Sequence, residues 1–283
     1  MPRDPEGRRR LALLFPPFFW LTVFFVLPLL LVGVFSVSQP QLYGGVRLDF
    51  TLKNFGAAFD PLYLNVFVRS LGVAGFATAL TLLAGFPMAY FLAFGAGRAR
   101  YVLLFLLIVP FFTNLMIRLY AMTVLFAESG WINTVLGALG LTDAPLRLGR
   151  SDFSLYLGFL YWNLPFMVLP IFASLDRMDM SWIEASMDLG AGRVRTFLRV
   201  TLPCALPGVF AGVIFCFVPT LGCFIIPEVL GGKNHVLIGN VITDQFTVAR
   251  NWPLGSALST VLIAVIMVFV YLYLRYADRW ATS

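Results

Sequence analysis

The sequence predicts an all-α protein, a polytopic bundle of six transmembrane helices. Hydrophobic residues make up 60% of its 283 residues and charged residues 12%, whereas about 25% of residues are charged in soluble proteins. The apolar residues occur in blocks that contain no Asp, Glu, Lys or Arg. These blocks approach or exceed the roughly 20 residues that a helix needs to cross the hydrocarbon core. They are continuously apolar, whereas lipid-facing barrel strands alternate, so helices are predicted rather than strands.

Six spans follow from the positions of these blocks. The predicted spans cover residues about 11–37, 70–97, 101–127, 153–175, 204–228 and 254–276. The third block, Tyr101–Ile117, is at the lower length limit, but it can continue past Arg118 to about Ala127. The first block is too long for the apolar region of a cleaved signal peptide, which runs about 7–15 residues. We therefore expect residues 1–283 to form a single transmembrane domain.

The basic residues predict the orientation of the spans, because Lys and Arg concentrate on the cytoplasmic side of membrane proteins. An inner N-terminus gives the cytoplasmic side twelve of them: Arg3, Arg8, Arg9, Arg10, Arg98, Arg100, Arg177, Arg193, Arg195, Arg199, Arg275 and Arg279. The outer side then has seven: Arg47, Lys53, Arg69, Arg147, Arg150, Lys233 and Arg250. Both termini are thus predicted to be cytoplasmic. The net charge of +6 indicates this topology and contact with anionic membrane lipids, not nucleic-acid binding.

A polar segment between the fourth and fifth spans, residues about 176–203, lies on the predicted cytoplasmic side. It contains Glu184-Ala185-Ser186-Met187-Asp188-Leu189-Gly190 and later Val200-Thr201-Leu202-Pro203. We predict a short helix that Asp179 or Ser181 caps and that ends at Gly190, where positive φ costs glycine little. Ile183 and Met187 would form an apolar face for a partner's groove. Pro203 and Pro207 suit the first turn of the fifth span.

The spacing in this segment resembles the EAA loop of binding-protein-dependent ABC importer permeases (type I importers). Ser186 stands at the third motif position and Val200 in place of Ile. From about residue 50 to the end, further stretches are similar to spermidine/putrescine-type permeases. These stretches are Asp60-Pro61-Leu62-Tyr63, residues 106–114 with Ile117-Arg118, residues 164–170, residues 226–232 and Arg250-Asn251-Trp252-Pro253.

The resemblance implies a permease subunit in the bacterial inner membrane that forms half of a translocation pathway. It implies that the segment is a cytoplasmic coupling helix docking on an ATPase, through Glu184, Ala185, Ser186 and Gly190, with Leu202 and Pro203 framing the loop. The implied partners are two ATP-binding subunits, a second homologous permease in a heterodimer, and a periplasmic or lipid-anchored solute-binding protein. An ordinary solvated loop helix is the alternative interpretation of this segment.

No nucleotide or metal site is predicted on the chain. A Walker A loop needs Gly-x-x-x-x-Gly-Lys-Ser/Thr, but Gly232-Lys233 is followed by Asn234, and Pro227 stands at the first glycine position. ATP and Mg²⁺ are therefore expected on the partner ATPase, and no enzymatic activity is expected here. The chain has one histidine, His235, which we expect on the surface, and no Cys-x-x-Cys pair of the kind that binds metals.

Polyamines are flexible polycations, so a route for them should offer carboxylates and aromatic faces. Glu228, at the outer end of the fifth span, is the first candidate, and a solvated helix-end carboxylate is the equal alternative. Asp244 and Glu128 are weaker candidates. Asn114 and Asn163 lie within spans and either line the pathway or, as we prefer, bond another helix. For Arg118, we expect pairing with Glu128, Glu228 or a receptor acid, or snorkelling to the outer interface.

Other functions remain to be weighed against a polyamine importer. The first alternative is an ABC importer permease for another small organic solute. An autonomous secondary transporter is less favoured, because that class carries inverted repeats and ionisable residues at mid-membrane, whereas the sequence shows no repeat and almost no charge within the spans. A membrane enzyme would need a catalytic cluster such as His-Glu-x-x-His or paired acids, which one histidine and scattered acids do not provide.

Overall fold

A computed structural model describes residues 5–41, 44–232 and 235–281, and most of them are helical. The α-helices in chain order are α1 (Pro5–Leu21), α2 (Leu27–Ser36), α3 (Lys53–Ala58), α4 (Pro61–Tyr90), α5 (Arg100–Ile108), α6 (Leu115–Leu125), α7 (Trp131–Ala138), α8 (Asp152–Asp176), α9 (Met180–Asp188), α10 (Arg193–Thr196), α11 (Leu202–Gly222), α12 (Ile238–Thr247) and α13 (Trp252–Ala281). A short antiparallel pair, β1 (Gln39–Pro40) and β2 (Val46–Arg47), follows α2. Single π or 3₁₀ turns extend several helices at Thr22–Val26, Phe91–Gly95, Gly97–Ala99, Val109–Phe112, Phe197–Thr201 and Pro227–Gly231.

Five helices of the described chain are long and apolar enough to cross a membrane, and a bent helix pair makes a sixth crossing if it is counted as one span. The five are Leu13–Ser36, Pro61–Gly95, Asp152–Asp176, Arg193–Gly222 and Trp252–Arg275. The predicted all-α class is confirmed, and the first, fourth and sixth spans lie within a few residues of their expected bounds. The second span begins earlier than predicted, at Pro61, whose fixed φ suits a first helical turn.

The third span is not the continuous helix predicted over residues 101–127. Gly97–Phe112 and Leu115–Leu125 meet at a bend of 96°. Pro110 lies in the 3₁₀ turn before the bend, where it has no N–H to donate to a continuing helix. Asn114 then starts a new helix, because its backbone is extended and its side chain accepts a hydrogen bond from Met116 N at 2.8 Å. The sequence pattern of hydrophobicity does not change at this break.

The fifth span also differs from the prediction of 204–228, since its helix runs from Arg193 to Gly222. Pro203 was expected at the helix start, but the helix already includes ten residues before it. A π turn at Phe197–Thr201 directly precedes the proline. Such a turn widens the backbone, and so accommodates a ring that would clash with the carbonyl four residues earlier. Leu202 and Pro203 therefore lie inside a helix and do not frame a loop.

Backbone contacts divide the chain into two compact units. The first contains the described chain up to Leu64 together with Val241–Val265, and the second contains Asn65–Asn240 and the chain from Ile266 onward. In the first unit, Asn54 Nδ2 donates to the carbonyls of Ser36 (3.0 Å) and Ser38 (2.7 Å) and so fixes α3 to the end of α2. The expectation of a single domain stays a prediction.

The core of the second unit lies between α8 and α11. Met167, Val168, Ile171 and Leu175 on α8 are fully buried, as is Ala205 on α11. Two glycines on α11, Gly208 and Gly212, lie directly against α8. Small residues spaced by four let two membrane helices approach closely, so this contact holds the fourth span against the fifth.

Candidate functional site

The segment between the fourth and fifth spans contains α9, whose start is fixed by a side-chain cap. Asp179 has extended backbone, and its carboxylate accepts a hydrogen bond from Ser181 N at 2.9 Å. Hydrogen bonds from the backbone and the side chain of Ser181 hold the pKa of Asp179 below its ordinary value. The carboxylate therefore stays ionised at the helix N-terminus, where the helix dipole favours negative charge. The predicted cap at Asp179 is confirmed.

The end of α9 is a Schellman motif. The N–H of Gly190 donates to Met187 O at 2.9 Å, and the N–H of Ala191 donates to Ser186 O at 3.1 Å. Gly190 adopts a φ of +80°, which is cheap only for a residue without a Cβ. The predicted helix end at Gly190 is thus confirmed, and the chain reverses there toward α10.

Between these two ends, α9 exposes a surface that combines apolar side chains with a carboxylate. Trp182 is 56% exposed, Met187 45% and Leu189 90%. Glu184 and Ala185 are also exposed, whereas Ile183 is half-buried, so Ile183 contributes less to this surface than the sequence predicted. A helix that leaves such side chains in solvent is typical of a docking element.

Three contacts lie in or beside this segment, and the sequence reasoning had identified none of them. The hydroxyls of Ser186 and Thr196 lie 3.1 Å apart, with Thr196 buried. The ring of Phe197, in the π turn, packs edge-on against Phe86 at 5.7 Å and Tyr90 at 6.1 Å, both on α4.

The third contact is an ion pair at the ends of two spans. Arg100 Nη1 lies 2.7 Å from Asp176 Oδ1, which joins the start of α5 to the last residue of α8. The complementary charges of two adjacent span ends could have signalled this pair in the sequence. The helices that flank α9 are thereby connected to the second and third spans, and α9 itself contacts the fifth through Ser186.

A cavity of about 600 Å³ lies elsewhere in the second unit, between α6, the loop after α7 and the π turn at Pro227–Gly231. Glu228 and Glu128 line it together with Arg147, Arg150 and several aromatic rings, among them Tyr120. Glu128 forms an exposed ion pair with Arg147 Nε at 3.5 Å, whereas Glu228 has no ion pair within the described residues. Glu228 and Glu128 are thus brought together at one cavity.

The turn that carries Glu228 is fixed to the N-terminus of α8. Ser154 Oγ donates to Leu230 O at 2.7 Å, and His235 Nε2 contacts the Asp152 carboxylate. His235 is only 9% exposed, so the expectation of a surface histidine was wrong. A Cβ at position 231 would lie 2.7 Å from the Cβ of His235, so Gly231 is in close contact with this histidine.

The other predicted pathway residues lie apart from this cavity lining. Asn114 is exposed and caps α6. Asn163 is fully buried and donates from Nδ2 to Thr220 Oγ1 at 2.9 Å, which bridges α8 and α11. Asp244 belongs to the first unit and lies exposed on α12.

The predicted pairing of Arg118 with Glu128 or Glu228 is wrong, whereas pairing with a receptor acid and snorkelling stay predictions. Arg118 forms no ion pair with an acid among the described residues, and its Nε and Nη1 atoms are shielded from solvent. The guanidinium lies against the rings of Phe111, Tyr161 and Trp162.

Comparison with known proteins gives matches over most of the chain. Residues 81–283 match the family described as "Binding-protein-dependent transport system inner membrane component". The chain is 38% identical over 257 residues to the spermidine/putrescine transport system permease protein PotB of Escherichia coli K12, covering 90% of this chain and 93% of that protein. It is 33% identical over 275 residues to the inner membrane ABC transporter permease protein YdcU of the same organism, covering 92% and 86%.

One solved structure has a similar fold. It is a crystal structure of a bacterial ABC transporter involved in the import of the acidic polysaccharide alginate, and it matches with a TM-score of 0.67 and 19% sequence identity. The match covers 97% of this chain and 98% of that chain. At this identity the similarity concerns the fold alone.

Proposed function

The chain belongs to the binding-protein-dependent transport system inner membrane components, and on this premise we propose that it imports polyamines as one permease subunit of an ATP-driven transporter. Family membership makes it a multi-pass inner-membrane permease that works with a separate ATPase and a binding protein, as predicted. The observation that carries the polyamine assignment is 38% identity, over 90% of the chain, to a spermidine/putrescine permease.

In the proposed assembly, this permease pairs with a second, non-identical homologous permease, and two ATP-binding subunits hold the ATP and Mg²⁺. Both termini of the chain lie in the cytoplasm, so α9 faces the ATPases. Glu184, Ala185, Ser186 and Gly190 form the docking surface on each ATPase. The exposed apolar side chains around Glu184 support this role, as does the rigid Schellman end at Gly190. A loaded periplasmic or lipid-anchored receptor delivers the solute from the outer side.

Closure of the ATPases on ATP moves α9, and three contacts carry that movement into the spans. The Arg100–Asp176 ion pair, the Ser186–Thr196 hydrogen bond and the packing of Phe197 support this path. Direct contacts between neighbouring helices transmit displacement because packed helices deform little. We infer that the pathway opens outward on ATP binding and resets on hydrolysis.

For the solute pathway, we propose Glu228 as the carboxylate that meets the ammonium groups. The cavity also offers Glu128 and aromatic rings, but Arg147 and Arg150 balance the two acids, so its formal lining charge is zero. Because Glu128 is already paired with Arg147, Glu228 is the free acid of the lining. Asn114 and Asn163 shape the pathway indirectly, since Asn114 caps α6 and Asn163 bonds Thr220. Asp244 is a weaker candidate for solute contact.

The proposed function predicts the behaviour of the reconstituted transporter. This chain is co-purified with the proteins encoded beside it and placed in lipid, and ATPase activity is measured with candidate receptors. A receptor loaded with spermidine or putrescine should stimulate ATP hydrolysis several-fold, whereas the empty receptor should not. Stimulation by a receptor that ignores polyamines would leave an importer of another small organic solute, which the two arginines of the cavity would suit. Absence of any co-purified ATPase would contradict the importer itself.

Glu228→Gln should lower polyamine uptake about tenfold at saturating loaded receptor, since a charge-assisted contact of roughly 1.5 kcal/mol is lost. The measurement is uptake of labelled spermidine into vesicles that hold ATP. Receptor-stimulated ATPase activity should persist, because Glu228 is remote in sequence from the docking segment. Glu128→Gln is the matched control and should change uptake less than twofold, as Arg147 already neutralises that acid. Equal effects of the two variants would remove Glu228 from the pathway.

A further inference from the structure

Arg118 is held in a box of three aromatic rings within the second unit. Its guanidinium carbon lies 5.0 Å from the ring centre of Phe111, 5.6 Å from that of Tyr161 and 5.8 Å from that of Trp162. Distances within about 6 Å of a ring centre are those at which a cation is attracted by the negative face of the ring. We call these three residues the aromatic box.

The guanidinium has no hydrogen-bond acceptor for two of its nitrogens. Nε and Nη1 of Arg118 are shielded from solvent and lack a partner, and no acid of the described chain pairs with the side chain. The shielding comes from the chain's own atoms, so a carboxylate from another subunit does not reach these nitrogens without a rearrangement. Shielded N–H groups without acceptors are costly. The rings are the contacts that offset this cost at Nε and Nη1, and no ion pair of the described chain holds the side chain in place.

The box lies near the middle of the fourth span. Tyr161 and Trp162 follow the start of α8, at Asp152, by nine and ten residues, which corresponds to roughly 15 Å of helix, or half of the hydrocarbon core. Ring contacts continue from it, since Phe166 lies 5.6 Å from Phe111 and 6.1 Å from Trp162. Phe166 is 38% exposed, so the aromatic surface extends from the box to the outside of this chain.

We propose that the aromatic box is a cation-binding site for the ammonium groups of the transported solute, and that Arg118 occupies it as a resident cation when solute is absent. An ammonium group crossing the membrane needs the same solvation that the rings give to Arg118. Two cations do not share one box, so solute enters as Arg118 leaves. The guanidinium also repels inorganic cations while it occupies the box. This proposal rests on the proposed function for the class of solute.

The test removes the resident cation and asks whether the empty box binds a cation from solution. The complete transporter carrying Arg118→Ala is assayed for thermal unfolding with increasing methylguanidinium and, separately, spermidine. Each ligand should raise the Tm saturably, by about 5 °C at a hundredfold excess over its Kd. The parent transporter should show no such gain with methylguanidinium, since its own arginine fills the box. Arg98→Ala, which removes an exposed arginine from a 3₁₀ turn, is the matched control and should behave as the parent.

A second substitution distinguishes binding in the box from binding elsewhere. Adding Trp162→Leu to Arg118→Ala should abolish the gain in Tm for both ligands. If methylguanidinium stabilises Arg118→Ala but spermidine does not, the box is not a solute site and the proposal is overturned. If neither ligand does, Arg118 is merely structural, and the proposal is overturned as well. Arg118→Gln, uncharged and closer in length, replaces the alanine variant if that one does not assemble.

Polyamine uptake by the parent transporter tests the proposed function separately. If the parent transporter imports polyamines but neither ligand raises the Tm of Arg118→Ala, only the proposed cation site in the aromatic box is refuted. A parent that imports no polyamine would refute the proposed function and, with it, the assignment of the box to the transported solute.

Discussion

Replacing Glu184 by lysine is expected to abolish ATP-driven uptake while the chain remains folded and inserted. Glu184 lies exposed on α9, one turn before the exposed side chain of Met187. It has no ion pair within the described residues, so its replacement breaks no contact of the fold. Reversal of charge at the centre of a docking surface typically costs 2 kcal/mol or more, which corresponds to roughly a 30-fold weaker association. Uptake of labelled solute and the amount of co-purified ATPase are the two measurements.

Asp143→Lys is the matched control for this variant. It makes the same change of charge at an exposed residue in the loop after α7, on the predicted outer side. Uptake by that variant should stay within twofold of the parent, and both variants should show the same yield and gel-filtration profile. Normal uptake by Glu184→Lys would make the docking assignment of α9 wrong and would favour an ordinary solvated loop helix.

The local structure of α9 was predictable because its signals are local. Asp179 determines the start through the hydrogen bond that its carboxylate accepts, and Gly190 determines the end through a positive φ that the absence of a Cβ permits. Five of the six predicted spans were also predictable as continuous apolar helices, since the hydrophobic thickness of the bilayer sets the length of each span. The irregular turns near Pro110 and Pro203 were not predictable. A proline leaves the pattern of hydrophobicity unchanged whether the helix continues or breaks beside it. Whether a proline starts, bends or widens a helix depends on which neighbours can satisfy the freed backbone groups.

The candidate sites were predictable in part for a similar reason. Glu228 could be picked out as a lone acid at a span end, and the cavity does contain it. The environment of Arg118 was not foreseen, because its three rings come from separate segments, Phe111 before the bend and Tyr161 and Trp162 on α8. Only the tertiary fold brings them together. The spacing of Gly208 and Gly212, by contrast, is a sequence signal for close helix packing that was available and not used.

This glycine pair carries the largest expected effect on stability. A Cβ at position 208 would lie 2.3 Å from Pro170 O, 2.6 Å from Ser174 Oγ and 2.8 Å from Ile171 Cα. Two of these neighbours are backbone atoms of α8, which cannot move unless the helices separate. Gly208→Ala should therefore lower the free energy of unfolding by about 3 kcal/mol and markedly reduce the yield of intact transporter, measured by thermal unfolding and gel filtration in detergent.

Two other glycines make the prediction specific to the α8–α11 contact. At Gly212 the nearest atom to a new Cβ is Met167 Sδ, at 2.8 Å, and a flexible thioether can move, so Gly212→Ala should cost less. At Gly72 on α4, nothing lies within 4 Å, and alanine is the better helix former by about 1 kcal/mol. The expected order of Tm is thus Gly72→Ala at or above the parent, then Gly212→Ala, then Gly208→Ala. If Gly208→Ala unfolded at the parent's Tm, α8 and α11 would not be in close contact in the membrane, and the path from α9 into the fifth span would need another route.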